Sequence, residues 1–312
     1  MKLAVIGKII SIESIANADR IKLATVVCGD AGKWSGVVGL DFNEGDLVTV
    51  FLQDAILVPD ARWTFMERHK WRVRMARFKG VPSECVIVPL THAGEIGGDL
   101  TQALGVTKYE KPIPPSIQGL ARGNFPSFIP KTDEPNFQTV PKYVENMKTQ
   151  AWYATEKADG TSCTVWVDDE GLHVCSRNLE LKDGENVYWR MARKYDLARL
   201  PVELSLQFEI IGPSIQSNPH GLAEPEIRVF SLYDIVGRQY RSYAHLVSLS
   251  EELDFPLANL LATSEDITLP TSEDLRKFAE VKYANGRHGE GVVIRARDST
   301  WSFKVINLNY KD

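Results

Sequence analysis

Glu156-Lys157-Ala158-Asp159-Gly160-Thr161 lies between an apolar run, Ala151–Thr155, and a β-branched run, Thr161–Val167. The pattern predicts a strand, a glycine turn and a second strand. A lysine is a poor nucleophile at neutral pH because its ordinary pKa is about 10.4. One that attacks phosphorus has to sit beside cations or in a desolvated pocket that favours its neutral form. Asp159 falls on the same face as Lys157 if the strand continues, where it suits a divalent cation near the attacked phosphate. Read alone, these residues also suit an ordinary strand-end lysine before an Asp-Gly turn, so their context decides.

Further small clusters follow in order: Ser176-Arg177-Asn178, Phe208-Glu209-Ile210, Tyr233-Asp234-Ile235, Glu290-Gly291-Val292-Val293 and Phe303-Lys304-Val305. Together with Lys157-Ala158-Asp159-Gly160 they resemble the covalent nucleotidyltransferase superfamily of ATP-dependent ligases and capping enzymes, across residues 156 to 305. Ser176-Arg177-Asn178, Glu209-Ile210-Ile211-Gly212-Pro213 and Ser302-Phe303-Lys304-Val305-Ile306-Asn307 are most similar to the RNA ligases. The chain departs from many relatives in having Ser302 where a first lysine of the last motif stands.

The resemblance implies an ATP-dependent RNA ligase. Lys157 would attack the α-phosphate of ATP and carry AMP; the AMP would pass to an RNA 5′-phosphate, and a neighbouring RNA 3′-hydroxyl would displace it. Lys157, Glu290 and Lys304 are the catalytic candidates. Glu156, Arg177, Glu209, Tyr233 and Val292 join Lys157 and Lys304 in holding the nucleotide, and Asp159, Glu209 and Glu290 would hold Mg²⁺ or Mn²⁺. Physical chemistry supports each role. Arg177 has a rigid fork of donors for a ribose hydroxyl or a phosphate. Glu209 sits in an apolar strand, where an unpaired carboxylate is costly. Tyr233 and Val292 offer faces for adenine, although such residues are as often plain core. Lys304 can neutralise a phosphate as its charge develops.

At 312 residues, with 44% hydrophobic and 25% charged residues, the chain has the composition of a soluble globular protein with two domains. Residues 1 to 110 hold short β-rich runs, Leu3–Ile12, Ile21–Cys28, Gly36–Gly39, Leu47–Phe51 and Cys85–Pro89, separated by turn signals. They predict a β-barrel, and Asn17-Ala18-Asp19-Arg20-Ile21 with Gly45-Asp46-Leu47-Val48 resembles OB folds of the tRNA-binding type. An OB domain ahead of the transferase domain is similar to the fifth RNA ligase family. Seven prolines between residues 111 and 141 mark a connection. Residues 142 to 312 then predict an α+β nucleotidyltransferase domain on antiparallel sheets, with helices over Val187–Ala198 and Ser272–Tyr283.

The net charge of −5 excludes whole-surface binding of nucleic acid but leaves room for a local basic groove. Arg62 to Gly80 interleaves seven Arg and Lys with Trp63, Phe65, Trp71 and Phe78, which suits either RNA or a solvated face over core aromatics. The four cysteines have no metal or disulfide spacing, which favours a cytoplasmic protein. The first ten residues read as a strand, not a signal peptide, and no apolar run is long enough to span a membrane. No obligatory protein partner is expected. Two other classes compete: a DNA ligase or capping enzyme, in which an OB domain usually follows the last motif, and a non-catalytic RNA-binding protein. Only eight residues follow Lys304, and the second class has no reason to keep Lys157, Glu209, Glu290 and Lys304 together.

Overall fold

The computed structural model describes residues 2–110, 113 and 115–310. Of the prolines assigned to the connection, Pro112 and Pro114 lie outside the described residues. The chain divides into two compact units, Met1–Pro112 with Gln138–Pro141, and Ile113–Phe137 with Lys142–Asp312. No described helix is long and apolar enough to cross a membrane.

In the first unit, alternating β-branched and polar residues form β1 (Ala4–Ser14), β2 (Ile21–Val27), β3 (Lys33–Gly39), β4 (Leu47–Phe51) and β5 (Val86–Pro89). They make one antiparallel sheet, ordered β3-β2-β1-β4-β5. The sheet curls into a half-barrel around Val5, Ile9, Val26, Trp34, Val50 and Ile87. The segment just before β5 is tied to β3 by Glu84 N donating to Ser35 O (2.8 Å) and Val37 N donating to Ser83 Oγ (3.0 Å). The alternate residues of β1, Ala4 and Ile6, face a second core with Phe51, Trp63, Met66 and Leu100. Trp63, from the basic stretch, is therefore core at 2% exposure. Its neighbours Arg62 and Arg72 are paired with Asp60 and Asp54, whereas Phe65, Arg68, Lys70, Arg74 and Lys79 remain exposed.

The second unit is mostly antiparallel sheet. Its strands are β6 (Ala121–Asn124), β7 (Trp152–Glu156), β8 (Thr161–Asp168), β9 (Gly171–Ser176), β10 (Leu179–Leu181), β11 (Leu204–Ile211), β12 (Glu226–Asp234), β13 (Gln239–Tyr240), β14 (Leu260–Thr263), β15 (Gly291–Ala296) and β16 (Ser302–Ile306). A seven-stranded sheet runs β6-β10-β9-β8-β11-β12-β13, and a four-stranded sheet runs β14-β7-β15-β16. The strand period of two sets which side chains go where. On β11, Leu206, Phe208 and Ile210 are fully buried in a core with α1 (Val187–Lys194) and α2 (Tyr243–Leu253), while Ser205, Gln207 and Glu209 point to the other face. On the four-stranded sheet, Thr155, Val293 and Lys304 are direct cross-strand partners and share one face, as do Tyr153, Arg295 and Ser302 one step along. The same register puts Glu156, Val292 and Val305 on the opposite face.

Both predicted helices are shorter than expected. The first stops at Lys194 because Asp196 takes a left-handed conformation (φ 47°). The second, α3 (Ser272–Phe278), starts at a Thr271/Asp274 capping box but gives way to a turn at Tyr283, whose N–H bonds Arg287 O. Helix α2 was missed from sequence: its spacing of Leu246, Leu249 and Leu253 is helical, but the stretch carries no charged N-terminal signal beyond the Ser242 cap.

His173 on β9 stacks on Trp166 and is bonded at Nε2 to Asp168 and at Nδ1 to Glu180, both at 2.8 Å. Both ring nitrogens face carboxylates, so the imidazolium form satisfies both. Burial lowers its pKa, but the bonds to Glu180 and Asp168 outweigh that and the net shift is upward. The resulting stabilisation is full below the ordinary histidine value of about 6.5 and is lost as pH rises through the raised one. His173→Phe should therefore melt a few degrees below the native chain at pH 6, for a loss of about 1 kcal/mol, and approach it at pH 9; a gap that widens with pH contradicts the charged staple.

Candidate functional site

Two backbone approaches bring the site together. A Cβ on Gly160 would come 2.2 Å from Ile210 O, so the turn after Lys157 lies directly against β11. Gly291 has φ +139°, and a Cβ there would come 2.2 Å from Val305 O, which lets β15 lie tightly on β16. Lys157 N then continues the ladder to Gly291 O at 2.9 Å. The Tyr283 hydroxyl donates to Lys157 O (3.2 Å) and accepts from Glu290 N (3.1 Å). Fully buried Asn307 donates through its amide to Gly289 O, while its own N–H bonds Glu290 O.

In this frame Lys157 Nζ lies 2.6 Å from Glu290 Oε1. Burial pushes the Lys157 pKa down, but the carboxylate of Glu290, followed by those of Glu209 and Asp159, pushes it up further, so the ammonium is retained. The sequence called for a pocket that favours neutral lysine. Burial acts in that direction, but the carboxylates reverse the sign. Burial raises Glu209 to about 8 against the opposing pull of Lys157, with Glu290 and Asp159 adding to the rise. Burial likewise raises Glu290, against Lys157. Asp159 accepts a hydrogen bond from the Tyr310 hydroxyl.

Lys304 and Arg177 approach the same group: Lys304 lowers the pKa of Glu290 and Arg177 that of Glu209. Arg177 is also bonded to Asp133 at 2.6 Å. Asp159, Glu209 and Glu290 thus outnumber the lysine among them. Among the described residues no three His, Cys, Asp or Glu are gathered into a ready chelate. Crowded carboxylates, with those of Glu209 and Glu290 raised in pKa, nevertheless fit a hydrated Mg²⁺ or Mn²⁺, which keeps its waters and takes few direct ligands.

Three of the expected nucleotide-binding residues lie elsewhere. Val292 is on the face opposite Lys304, and Val293 takes its place beside Lys304 and Thr155. Glu156 shares the Val292 face and lies 3.9 Å from His220 Nδ1. The His220 ring packs 3.9 Å from that of Tyr283, and burial followed by Arg228 lowers its pKa to about 4. Tyr233 is enclosed with Ile129, Trp166 and Cys175, opposite Ser205 and four residues along β11 from Glu209, about 13 Å away.

Phe230 is an aromatic residue that lies nearer Glu209 along β12 than Tyr233 does. Between β11 and β12 the pairs Phe208↔Val229 and Gln207↔Ser231 leave Phe230 as the extra residue of a β-bulge. Phe230 lines a cavity of about 270 Å³ with Tyr153, Gln207, Arg295 and Ser302, and the Arg295 guanidinium lies 5.3 Å from its ring centroid. Arg295 also donates to Thr155 Oγ1 at 3.2 Å. The cavity lies along the face of the four-stranded sheet that also carries Lys304, so a cation suited to phosphate and an aromatic ring suited to a planar base share one side.

Residues 150–307 match the family model described as RNA ligase. An RNA ligase of Naegleria gruberi solved with pyrophosphate is similar to the chain at 31% identity, over 98% of this chain and 97% of that one, with a TM-score of 0.83. A lysine-to-alanine variant of that ligase, solved with ATP and Mn, matches at 31% identity over 98% and 96% with a TM-score of 0.81. A lysine-to-methionine variant with AMP and Mn gives 31% identity over 98% and 97% with a TM-score of 0.85. Among curated protein sequences none matches.

With Glu209 held at about 8 in the fold against 4.5 as its ordinary value, the folded chain binds more protons than the unfolded one between those values, so stability falls as pH rises through them. Glu209→Gln should thus melt above the native chain at pH 9, with the difference closing toward pH 5; a variant less stable at pH 9 would mean the carboxylate is held ionised by partners that outweigh its burial.

Proposed function

As a member of the RNA ligase family the chain is an ATP-dependent RNA ligase, and we propose that it seals RNA 3′-hydroxyl and 5′-phosphate ends, at nicks or breaks in duplex or structured RNA, through an AMP carried on Lys157. The observation that carries this reading is the Lys157–Glu290 contact at 2.6 Å. Spacing supports it. Solved variants of the Naegleria gruberi ligase include changes at a lysine and at an aspartate two residues beyond it, and at a glutamate and at a lysine fourteen beyond that. Lys157 and Asp159, and Glu290 and Lys304, repeat both intervals.

The ammonium of Lys157 must lose a proton before it attacks, and Glu290 is the adjacent acceptor. The freed lone pair forms a bond to the α-phosphorus of ATP as the bond to pyrophosphate breaks, and the nitrogen gives up a second proton to leave a phosphoramidate. An RNA 5′-phosphate oxygen then takes the AMP as the P–N bond, protonated at nitrogen, breaks, and a further proton restores the lysine ammonium. Finally the RNA 3′-hydroxyl attacks the activated 5′-phosphorus, loses its proton, and releases AMP. Little covalent work falls on other residues, which position groups and offset charge. Lys304 faces the charge developing on phosphate, Arg177 binds a phosphate or a ribose hydroxyl, and Phe230 and Val293 flank the base. Asp159, Glu209 and Glu290 would hold the divalent metal, which offsets the charge of the triphosphate.

We read the half-barrel as an OB domain that grips RNA, with Phe65, Arg68, Lys70, Arg74 and Lys79 on its exposed basic face. The four cysteines are buried and free, which supports a reducing, cytoplasmic compartment.

Incubation with ATP labelled at the α-phosphate and Mg²⁺ or Mn²⁺ should leave acid-labile label on the chain, and Lys157→Ala should abolish both label and sealing; a variant that still takes up label sinks the assignment. Phe230→Ala should raise the ATP concentration for half-maximal labelling about tenfold, the scale of one lost base–aromatic stack, while Tyr233→Phe should leave it unchanged. Replacing Arg68, Lys70 and Arg74 together by alanine should weaken RNA binding and flatten its salt dependence without touching label uptake. Equal losses in both assays would remove the half-barrel from RNA binding.

A further inference from the structure

Residues 129–137 form a strap that bonds to both walls of the cleft. Pro130 O accepts from Gln207 Nε2 (2.7 Å), and Thr132 Oγ1 meets Ser162 Oγ (2.7 Å), so the strap is tied to the seven-stranded sheet. Across the cleft, Pro135 O accepts from Lys304 N (2.8 Å), and Glu134 accepts from Arg295 (2.9 Å) and from Ser302, which ties it to the four-stranded sheet. Glu134 is set apart by its environment. Its side chain and that of Arg295 are 15% and 6% exposed, and a buried ion pair broken by removing one partner leaves the other charge uncompensated. Arg295 spans the cleft, with its guanidinium near the Phe230 ring on one wall and bonded to Thr155 on the other. Glu134 is the carboxylate that fixes it there.

We propose that Glu134 is a positioning residue for nucleotide binding, which acts by holding Arg295 so that Phe230 and Thr155 form a fixed seat for the base of ATP. The proposal rests on the ligase reading, because only a phosphate placed at Lys157 puts the base at this end of the cleft. Glu134 touches no reacting atom, so its influence falls on the step that uses ATP. Sealing of an RNA end that already carries AMP needs no free ATP and does not draw on it.

The test is Glu134→Gln, which keeps the shape and removes the charge. Label uptake from α-labelled ATP is measured over a range of ATP concentrations, and sealing of pre-adenylylated RNA is measured in parallel. The expected result is an apparent KM for ATP raised about tenfold, the scale of one lost charge-assisted contact, with sealing of pre-adenylylated RNA within about twofold of the native rate and Glu134→Asp recovering part of the ATP affinity. An unchanged KM overturns the proposal. So does an equal loss in both reactions, which would make the strap a purely structural tie. Failure of the native chain to take up label is a separate outcome and counts against the ligase reading itself.

Discussion

The Lys157 ammonium faces the carboxylates of Glu290, Glu209 and Asp159 in a partly buried pocket, and much of the second unit follows from that arrangement. Like charges at short range in low dielectric are tolerable only if protons, cations or dipoles offset them. The chain supplies some of that offset through Lys157, Lys304, Arg177 and the Tyr310 hydroxyl. The remaining imbalance appears in the raised pKa values of Glu209 and Glu290, an environment that suits a hard cation. The same carboxylates keep the proton on Lys157, so the site is charge-paired.

The sequence made the charged end of this site legible because its parts are local. Lys157 and Asp159 flank one turn, Glu290 precedes one glycine, and Lys304 lies in one short strand, so each can be read within a few residues. Glu209 was legible for a different reason: a carboxylate in an alternating apolar strand has to face the side that is not core. The aromatic end could not be read this way. The motif resemblance pointed to Tyr233, which pairs with Ser205 and shares the face of Glu209 but lies four residues farther along β11; Phe230 is left as the extra residue of a bulge, and no residue type there announces it. Val292 and Val293 are chemically equal, and only the pairing of β15 with Lys304 and Thr155 separates them.

Long-range partners were the other blind spot. Glu134 lies 161 residues from Arg295 along the chain, and a proline-rich context reads as a connection instead of as part of a site. In the basic stretch, composition could not distinguish Trp63, which fills a core, from Phe65, which is exposed. That division depends on which residues of one helical turn face β1.

The Tyr283 hydroxyl serves two peptide groups, the carbonyl of Lys157 and the N–H of Glu290, and Asn307 anchors the second of these from behind. Lys157 and Glu290 are therefore tied by one shared side-chain oxygen in addition to their ion pair and the strand ladder. Any movement of one backbone segment carries the other with it.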